Sequence, residues 1–69
     1  MTAAPTVTAT LEQLLAGQDL GEAGAAALMH TLTDAQLSPA VAAALLVALR
    51  VKGETADELR GLATAMREL

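Results

Sequence analysis

The 69-residue sequence contains no cysteine and no Phe, Tyr or Trp. Without cysteine, neither a disulfide framework nor a zinc site built on thiolates can form. Without those three aromatic residues, the chain lacks the usual platforms for stacking bases and for caging organic cations. Basic residues are also few, four against eight acidic ones, and the net charge of −4 argues against binding to a nucleic-acid backbone.

Long apolar stretches are missing as well. The longest run covers residues 40–49, whereas a membrane-spanning helix needs about 20 apolar residues. The segment from Met1 to Pro5 has no positive charge, and no apolar stretch typical of a signal peptide follows it. We therefore expect a cytoplasmic protein that contacts no membrane.

What the chain does contain is mostly alanine and leucine. Its hydrophobic content of 54% comes largely from seventeen Ala and thirteen Leu, with only four Val and no Ile. Alanine and leucine are the strongest helix formers, and so few β-branched residues disfavour a sheet. The composition predicts an all-α fold, a small bundle of four short helices. A chain of this size buries only about 60% of its unfolded surface, so its stability is limited.

Local signals divide the chain into these four helices. Thr8 or Thr10 can cap the first helix, and Gly17 suits a left-handed turn at its end. The dipeptide Ser38-Pro39 marks the start of the third helix, and Gly53 marks its end. The pattern from Thr55 to Glu58 predicts a capping box at the start of the fourth helix.

The spacing of apolar residues predicts which faces of the helices are buried. Residues 1–7 are expected to form a disordered tail and residues 8–69 the helical domain, with short loops that favour antiparallel packing. Leucines, valine and methionine recur at intervals of three and four residues, which is typical of a buried helical face. The predicted core is Leu11, Leu14, Leu15, Leu28, Met29, Leu32, Val41, Leu45, Leu49, Leu59, Leu62 and Met66.

The third helix is apolar on nearly all sides. Once its first stripe fills the core, the second stripe has no obvious partner within so short a chain. An exposed apolar helix face indicates an interface. We therefore predict a homodimer whose interface contains Ala43, Leu46, Val47 and Arg50.

Residues with catalytic potential are scattered. His30 is the only imidazole, lies off the apolar stripe of its helix and is interpreted as a surface residue. The carboxylates stand singly at caps and surfaces, so nothing indicates an acid–base pair. The segment from Lys52 to Thr55 superficially resembles a phosphate loop, but it follows a helix and lacks the required upstream glycine. No catalytic, cofactor-binding or metal-binding residue is predicted.

The order of motifs resembles the N-terminal helical domain of anthranilate phosphoribosyltransferases. The most specific stretch is L-L-V-A-L-R-V-K-G-E-T at residues 45–55, followed by A-M-R-E at residues 65–68. The resemblance extends from Leu11 to Glu68. Gly21 and Gly24 depart from it, because family members usually carry polar or acidic residues there.

The resemblance implies a function for the complete enzyme rather than for this chain. The enzyme joins anthranilate to phosphoribosyl pyrophosphate in tryptophan biosynthesis, using magnesium and a diphosphate-binding loop in a following α/β domain. The helical domain closes one side of the active-site cleft and contributes to a homodimer interface. The implied partners are thus a second copy and the α/β domain of the same chain. We expect no catalysis by these residues alone.

Three other kinds of protein share features with this sequence. Pyrimidine nucleoside phosphorylases share the domain but typically carry a different sequence in place of R-V-K-G-E-T. Acyl carrier proteins need an Asp-Ser-Leu motif, whereas Ser38 lies between Leu37 and Pro39. A free-standing helical module for protein association stays open, because the sequence does not distinguish it from the enzyme domain.

Overall fold

Residues 7–69 are described by a computed structural model, and within this range the chain forms four helices and no strand. The helices are α1 (Val7–Leu15), α2 (Gly21–Leu32), α3 (Pro39–Lys52) and α4 (Ala56–Glu68). The predicted all-α bundle is confirmed. No helix in this range is both long and apolar enough to cross a membrane.

The helix boundaries follow most of the local signals in the sequence. Gly17 and Gly53 adopt positive φ angles of 77° and 92°, which favour glycine and end α1 and α3. Thr55 and Glu58 form the predicted capping box. Ser38 and Pro39 stand at the start of α3, as predicted, but the hydroxyl of Ser38 makes no capping hydrogen bond. The start of α3 therefore relies on the fixed φ of the proline.

The first helix begins earlier than the capping signals in the sequence predict. The predicted tail, residues 1–7, falls outside the described residues except for Val7. Val7 already belongs to α1 and packs against the core, so helical structure begins before the predicted caps. Thr8 and Thr10 consequently lie inside α1.

The helices associate as two pairs, α1 with α3 and α2 with α4. Large side chains from α1, α2 and α3 meet in one buried cluster, and further predicted core residues pack around it half-buried, among them Leu11, Leu32, Val41 and Leu62. The members of the cluster are Leu14, Leu28, Leu45, Ala48 and Leu49. Most of the predicted core is thus found at or beside this cluster.

Three predicted core residues are wrong, because Leu15, Leu59 and Met66 are 69%, 55% and 58% exposed. Leu15 is the last residue of α1, next to the turn at Gly17.

On α4 the cause is the close approach of α2. Gly61 lies so near α2 that a Cβ atom there would overlap the carbonyl oxygen of Glu22 and lie 3.0 Å from the Cβ of Ala25. Ala25, Gly61 and Ala65 are buried. Small residues therefore face α2, and Leu59 and Met66 turn outward.

Candidate functional site

One exposed apolar surface runs along α3, and we call it the α3 face: Ala43, Leu46, Val47, Arg50 and Val51. Because residues 40–49 are apolar without interruption, burial of Leu45, Ala48 and Leu49 leaves other apolar side chains outside. Leu46 is 51% exposed and Val47 is 61% exposed. The structure therefore places all four predicted interface residues on the surface; the dimer itself stays a prediction.

The α3 face extends one residue beyond the predicted set. Val51, four residues after Val47, is 80% exposed, and the same helical spacing in the sequence could have identified it. Arg50 lies at this end of the face, where its Nη1 is 3.7 Å from Oε1 of Glu54. A charged rim thus borders an apolar surface, an arrangement typical of protein interfaces.

A second apolar surface lies between α2 and α4, and we call it the α2–α4 groove. It is lined by Met29, Leu59, Leu62, Ala63, Met66 and Arg67. Sequence reasoning missed it as a surface because its large side chains repeat at core-like intervals. The sequence pattern does not show that α4 packs against α2 through its small residues and leaves Leu59 and Met66 on the outside.

A buried ionic cluster joins the ends of the helices. Lys52 at the end of α3 donates from Nζ to Oε1 of Glu58 at 2.7 Å and to Oδ1 of Asp19 at 2.9 Å. Glu58 is fully buried and also accepts hydrogen bonds from the backbone amides of Leu20 at 2.7 Å and Thr55 at 2.9 Å. Asp19 and Glu58 therefore share Lys52 as a partner, a contact that the sequence analysis did not predict.

The charges in this cluster stabilise one another. Burial alone would raise the pKa of Glu58, but hydrogen bonds from Leu20, Lys52 and Thr55 outweigh that effect and hold the pKa below its usual value. Burial likewise would lower the pKa of Lys52, but hydrogen bonds to Glu58 and Asp19 raise it above 10.5.

Both groups therefore stay ionised near neutral pH and are engaged in hydrogen bonds. A carboxylate and an ammonium held in this way fix the turns between helices and are unsuited to exchanging protons with a substrate. The capping-box pattern identified Glu58, but its contact with Leu20, 38 positions away in the chain, has no local sequence signal.

The single histidine lies apart from the ionic cluster. His30 is exposed, and its Nε2 lies 3.8 Å from Oε1 of Glu68. Within residues 7–69, no three His, Asp or Glu side chains come together as a metal ion would require.

Comparisons with known families and with known proteins point to the same group of proteins. Residues 8–69 match the family described as "Glycosyl transferase family, helical bundle domain". The chain is similar to anthranilate phosphoribosyltransferases from Anaeromyxobacter dehalogenans (strain 2CP-1), Symbiobacterium thermophilum and Prochlorococcus marinus (strain MIT 9313), with identities of 47%, 48% and 45% over 58, 60 and 67 residues.

These alignments cover most of this chain but a small part of each relative. They include 84%, 87% and 97% of the chain, and 17%, 18% and 19% of the respective relatives. The chain thus spans less than a fifth of the length of the curated relatives it matches. No solved structure matches it.

Proposed function

The chain belongs to the helical bundle domain family of the glycosyl transferases, and we propose that it serves as the N-terminal helical domain of an anthranilate phosphoribosyltransferase. The observation that carries this proposal is the family match over residues 8–69, together with relatives of that name at 45–48% identity. The activity proposed for the complete protein is transfer of the phosphoribosyl group of phosphoribosyl pyrophosphate to anthranilate.

Within such an enzyme, we assign this domain to assembly and to closing one side of the active-site cleft. The α3 face supports a role in assembly, because Leu46, Val47 and Val51 expose apolar side chains on one helix. In a two-fold arrangement the same face meets its own copy. Small side chains such as Ala43 allow two helices to approach closely.

Catalysis is assigned to the part of the enzyme outside this domain. Stabilising the charge that develops during phosphoribosyl transfer requires positioned donors or a metal ion. The charged residues that the structure does bring together, Lys52, Glu58 and Asp19, are engaged with one another. We therefore expect the isolated chain to show no transferase activity.

The proposed enzymatic role can be tested with a chimera. This chain would replace the matching 60-residue region of the Symbiobacterium thermophilum relative, and consumption of anthranilate would be measured with phosphoribosyl pyrophosphate and magnesium. An active chimera is the expected result. A soluble, folded chimera without activity would contradict the proposal and favour the free-standing association module.

Assembly through the α3 face can be tested on the chain itself by sedimentation over a concentration series. We expect a reversible dimer, because one helix face can bury about 1,000 Å² in total, which is at the lower end of the areas found in specific interfaces. Leu46→Glu should keep the chain monomeric. Leu15→Glu is the matched control, since Leu15 is 69% exposed and lies outside the α3 face.

Two outcomes would contradict the assignment of the interface. One is a wild-type chain that stays monomeric at the highest concentration. The other is a Leu46→Glu chain that dimerises as well as the Leu15→Glu control.

A further inference from the structure

We propose that the ionic cluster of Lys52, Glu58 and Asp19 fixes the angle between the two helix pairs. The α3 face belongs to the α1–α3 pair and the groove to the α2–α4 pair, so the cluster also sets how these two apolar surfaces are oriented relative to each other. This inference goes beyond the proposed function, because it concerns the helical domain whether or not a catalytic part follows it.

The cluster lies where the chain passes from one helix pair to the other. Because consecutive helices belong to different pairs, each connection between helices makes such a crossing: residues 16–20, 33–38 and 53–55. Asp19 and Leu20 stand in the first connection, and Thr55 ends the third. Lys52 and Glu58 hydrogen-bond to all three of these residues or their backbones. Two of the three crossings are thus fastened at one point.

The hydrogen bonds of the cluster join the two pairs directly. The ammonium of Lys52, at the end of α3, donates to Oε1 of Glu58, in the first turn of α4, at 2.7 Å. The second carboxylate oxygen of Glu58 accepts from the amide of Leu20 at 2.7 Å. From the other side, the side chain of Gln13 on α1 donates to the carbonyl oxygen of Asp19 at 3.0 Å. Because hydrogen bonds depend on direction as well as distance, this set defines one arrangement of the pairs.

The other ion pairs between different helices stay within one helix pair. In the part of the chain that the structure describes, Nε of Arg60 on α4 lies 3.5 Å from Oε1 of Glu22 on α2. His30 of α2 likewise faces Glu68 of α4. These contacts strengthen the α2–α4 pair but do not define its angle to the α1–α3 pair.

The apolar contact between the pairs does not define their angle either. Leu28 of α2 meets Leu14 and Leu45 of the other pair in the buried cluster. Apolar attraction has no preferred direction, and apolar cores lose a unique arrangement before they lose stability. Buried ionic groups are one source of such uniqueness. We therefore assign cohesion of the two pairs to the leucines and their angle to the ionic cluster.

The two fastened connections contain residues that allow the angle to change. Gly17 and Gly53 have positive φ angles, and a Cβ atom at either position would meet no atom within 4 Å. The open space beside both glycines leaves room for their dihedral angles to change, and loop residues of this kind serve as hinges between packed elements. The hydrogen bonds of the cluster hold these hinges in one position.

The angle between the pairs can be measured with two spin labels. The chain contains no cysteine, so Glu12→Cys on α1 and Thr64→Cys on α4, both at exposed positions, introduce one label in each helix pair. Pulsed electron paramagnetic resonance gives the distribution of distances between the labels. An excess of unlabelled chain keeps the measured distances within one copy. The labelled parent chain should give one narrow distribution.

Two matched double variants distinguish the ionic cluster from the other ion pairs. Lys52→Met with Glu58→Gln removes both charges, so no buried charge is left without its partner. Glu22→Gln with Arg60→Met removes an ion pair inside the α2–α4 pair. Both leave the net charge of the chain unchanged. The distance distribution should broaden by about 5 Å in the first double variant, the size of a one-turn displacement between packed helices, and stay narrow in the second.

A third variant distinguishes the angle from stability in general. Leu11 packs half-buried against the leucine cluster and takes no part in the ionic one. Leu11→Ala should therefore lower the urea concentration at the midpoint of unfolding, yet leave the distance distribution narrow under native conditions.

Three results would overturn this inference, and none of them depends on transferase activity. A distribution as narrow in the Lys52 and Glu58 double variant as in the parent chain would show that the leucines fix the angle. Loss of helical circular dichroism in that variant would show that the cluster is needed for folding itself. Equal broadening in Leu11→Ala or in the second double variant would attribute the change to lower stability.

Discussion

The two helix pairs are held together by different kinds of contact. The α1–α3 pair contributes Leu14, Leu45 and Leu49 to a cluster of large side chains. The α2–α4 pair is joined at Gly61, where no side chain separates the two helices. Packing through leucines buries the apolar stripes that are visible in the sequence. Packing through small residues instead leaves such a stripe exposed to solvent.

This difference also explains why apolar surface remains exposed on both pairs. On α3 apolar surface is exposed because this helix carries two apolar sides and only one of them is buried. On α4 it arises because the close contact at Gly61 determines how the helix is rotated, leaving Leu59 and Met66 outside. Two unrelated causes thus produce two separate candidate interfaces.

The largest effect is expected from removing a leucine of the α1–α3 pair. Leu45 is fully buried, and Leu45→Ala should destabilise the chain by about 2–5 kcal/mol because it leaves a cavity in the cluster. That cost is comparable to the whole stability of so small a domain, about 3–5 kcal/mol. Urea unfolding followed by circular dichroism would measure it, with Leu15→Ala as control, because Leu15 is 69% exposed and lies outside the α3 face. Equal losses in the two variants would contradict the core assignment.

A smaller but more diagnostic effect is expected at the helix contact of the α2–α4 pair. Gly61→Ala places a methyl group against the backbone of α2, and overpacking of this kind costs about 1–3 kcal/mol even though alanine favours helix. Gly24→Ala is the matched control, since the same methyl group there would meet one side-chain atom, the Cβ of Leu20 at 3.1 Å, and no backbone atom of a neighbouring helix. Thermal melts of both variants would compare them. A Gly61→Ala chain as stable as Gly24→Ala would show that the helices are not in close contact at Gly61.

The parts of the fold that sequence reasoning identified are those determined locally. A positive φ at Gly17 or Gly53 and a capping box at Thr55 depend on a few neighbouring residues. The inward side of α3 also follows from spacing alone, because Leu45 and Leu49 lie one turn apart.

The parts that it missed depend on residues distant in the sequence. Nothing near Gly61 indicates that α2 lies against it, so the stripe containing Leu59 and Met66 was assigned to the core. Likewise, the sequence shows that Glu58 can cap α4, but not that Lys52 and the amide of Leu20 converge on the same carboxylate. Tertiary contacts of this kind have no local periodicity.

The last expected effect concerns the ionic cluster, which links the loops of both helix pairs. Glu58→Gln removes the charge and replaces one acceptor oxygen by an amide donor, which must then face the amide of Leu20 or the donors of Lys52 and Thr55. Lys52 retains Asp19 as a partner. The expected loss at neutral pH is therefore about 1–3 kcal/mol, the cost of leaving a buried hydrogen-bonding group without its partner. Urea unfolding would measure it, and Glu12→Gln, at an exposed carboxylate, should change stability little.

The pH dependence of that loss tests its electrostatic origin. Because folding lowers the pKa of Glu58, the folded state binds this proton less readily than the unfolded state does. The stabilisation from Glu58 is therefore fully present above its unfolded pKa of about 4.3 and disappears as the pH falls through the lower, folded pKa. The difference in unfolding free energy between the wild type and Glu58→Gln should accordingly shrink on acidification. A difference that stays constant down to the acid transition would mean that the loss comes from the amide donor that Gln introduces and not from the missing charge.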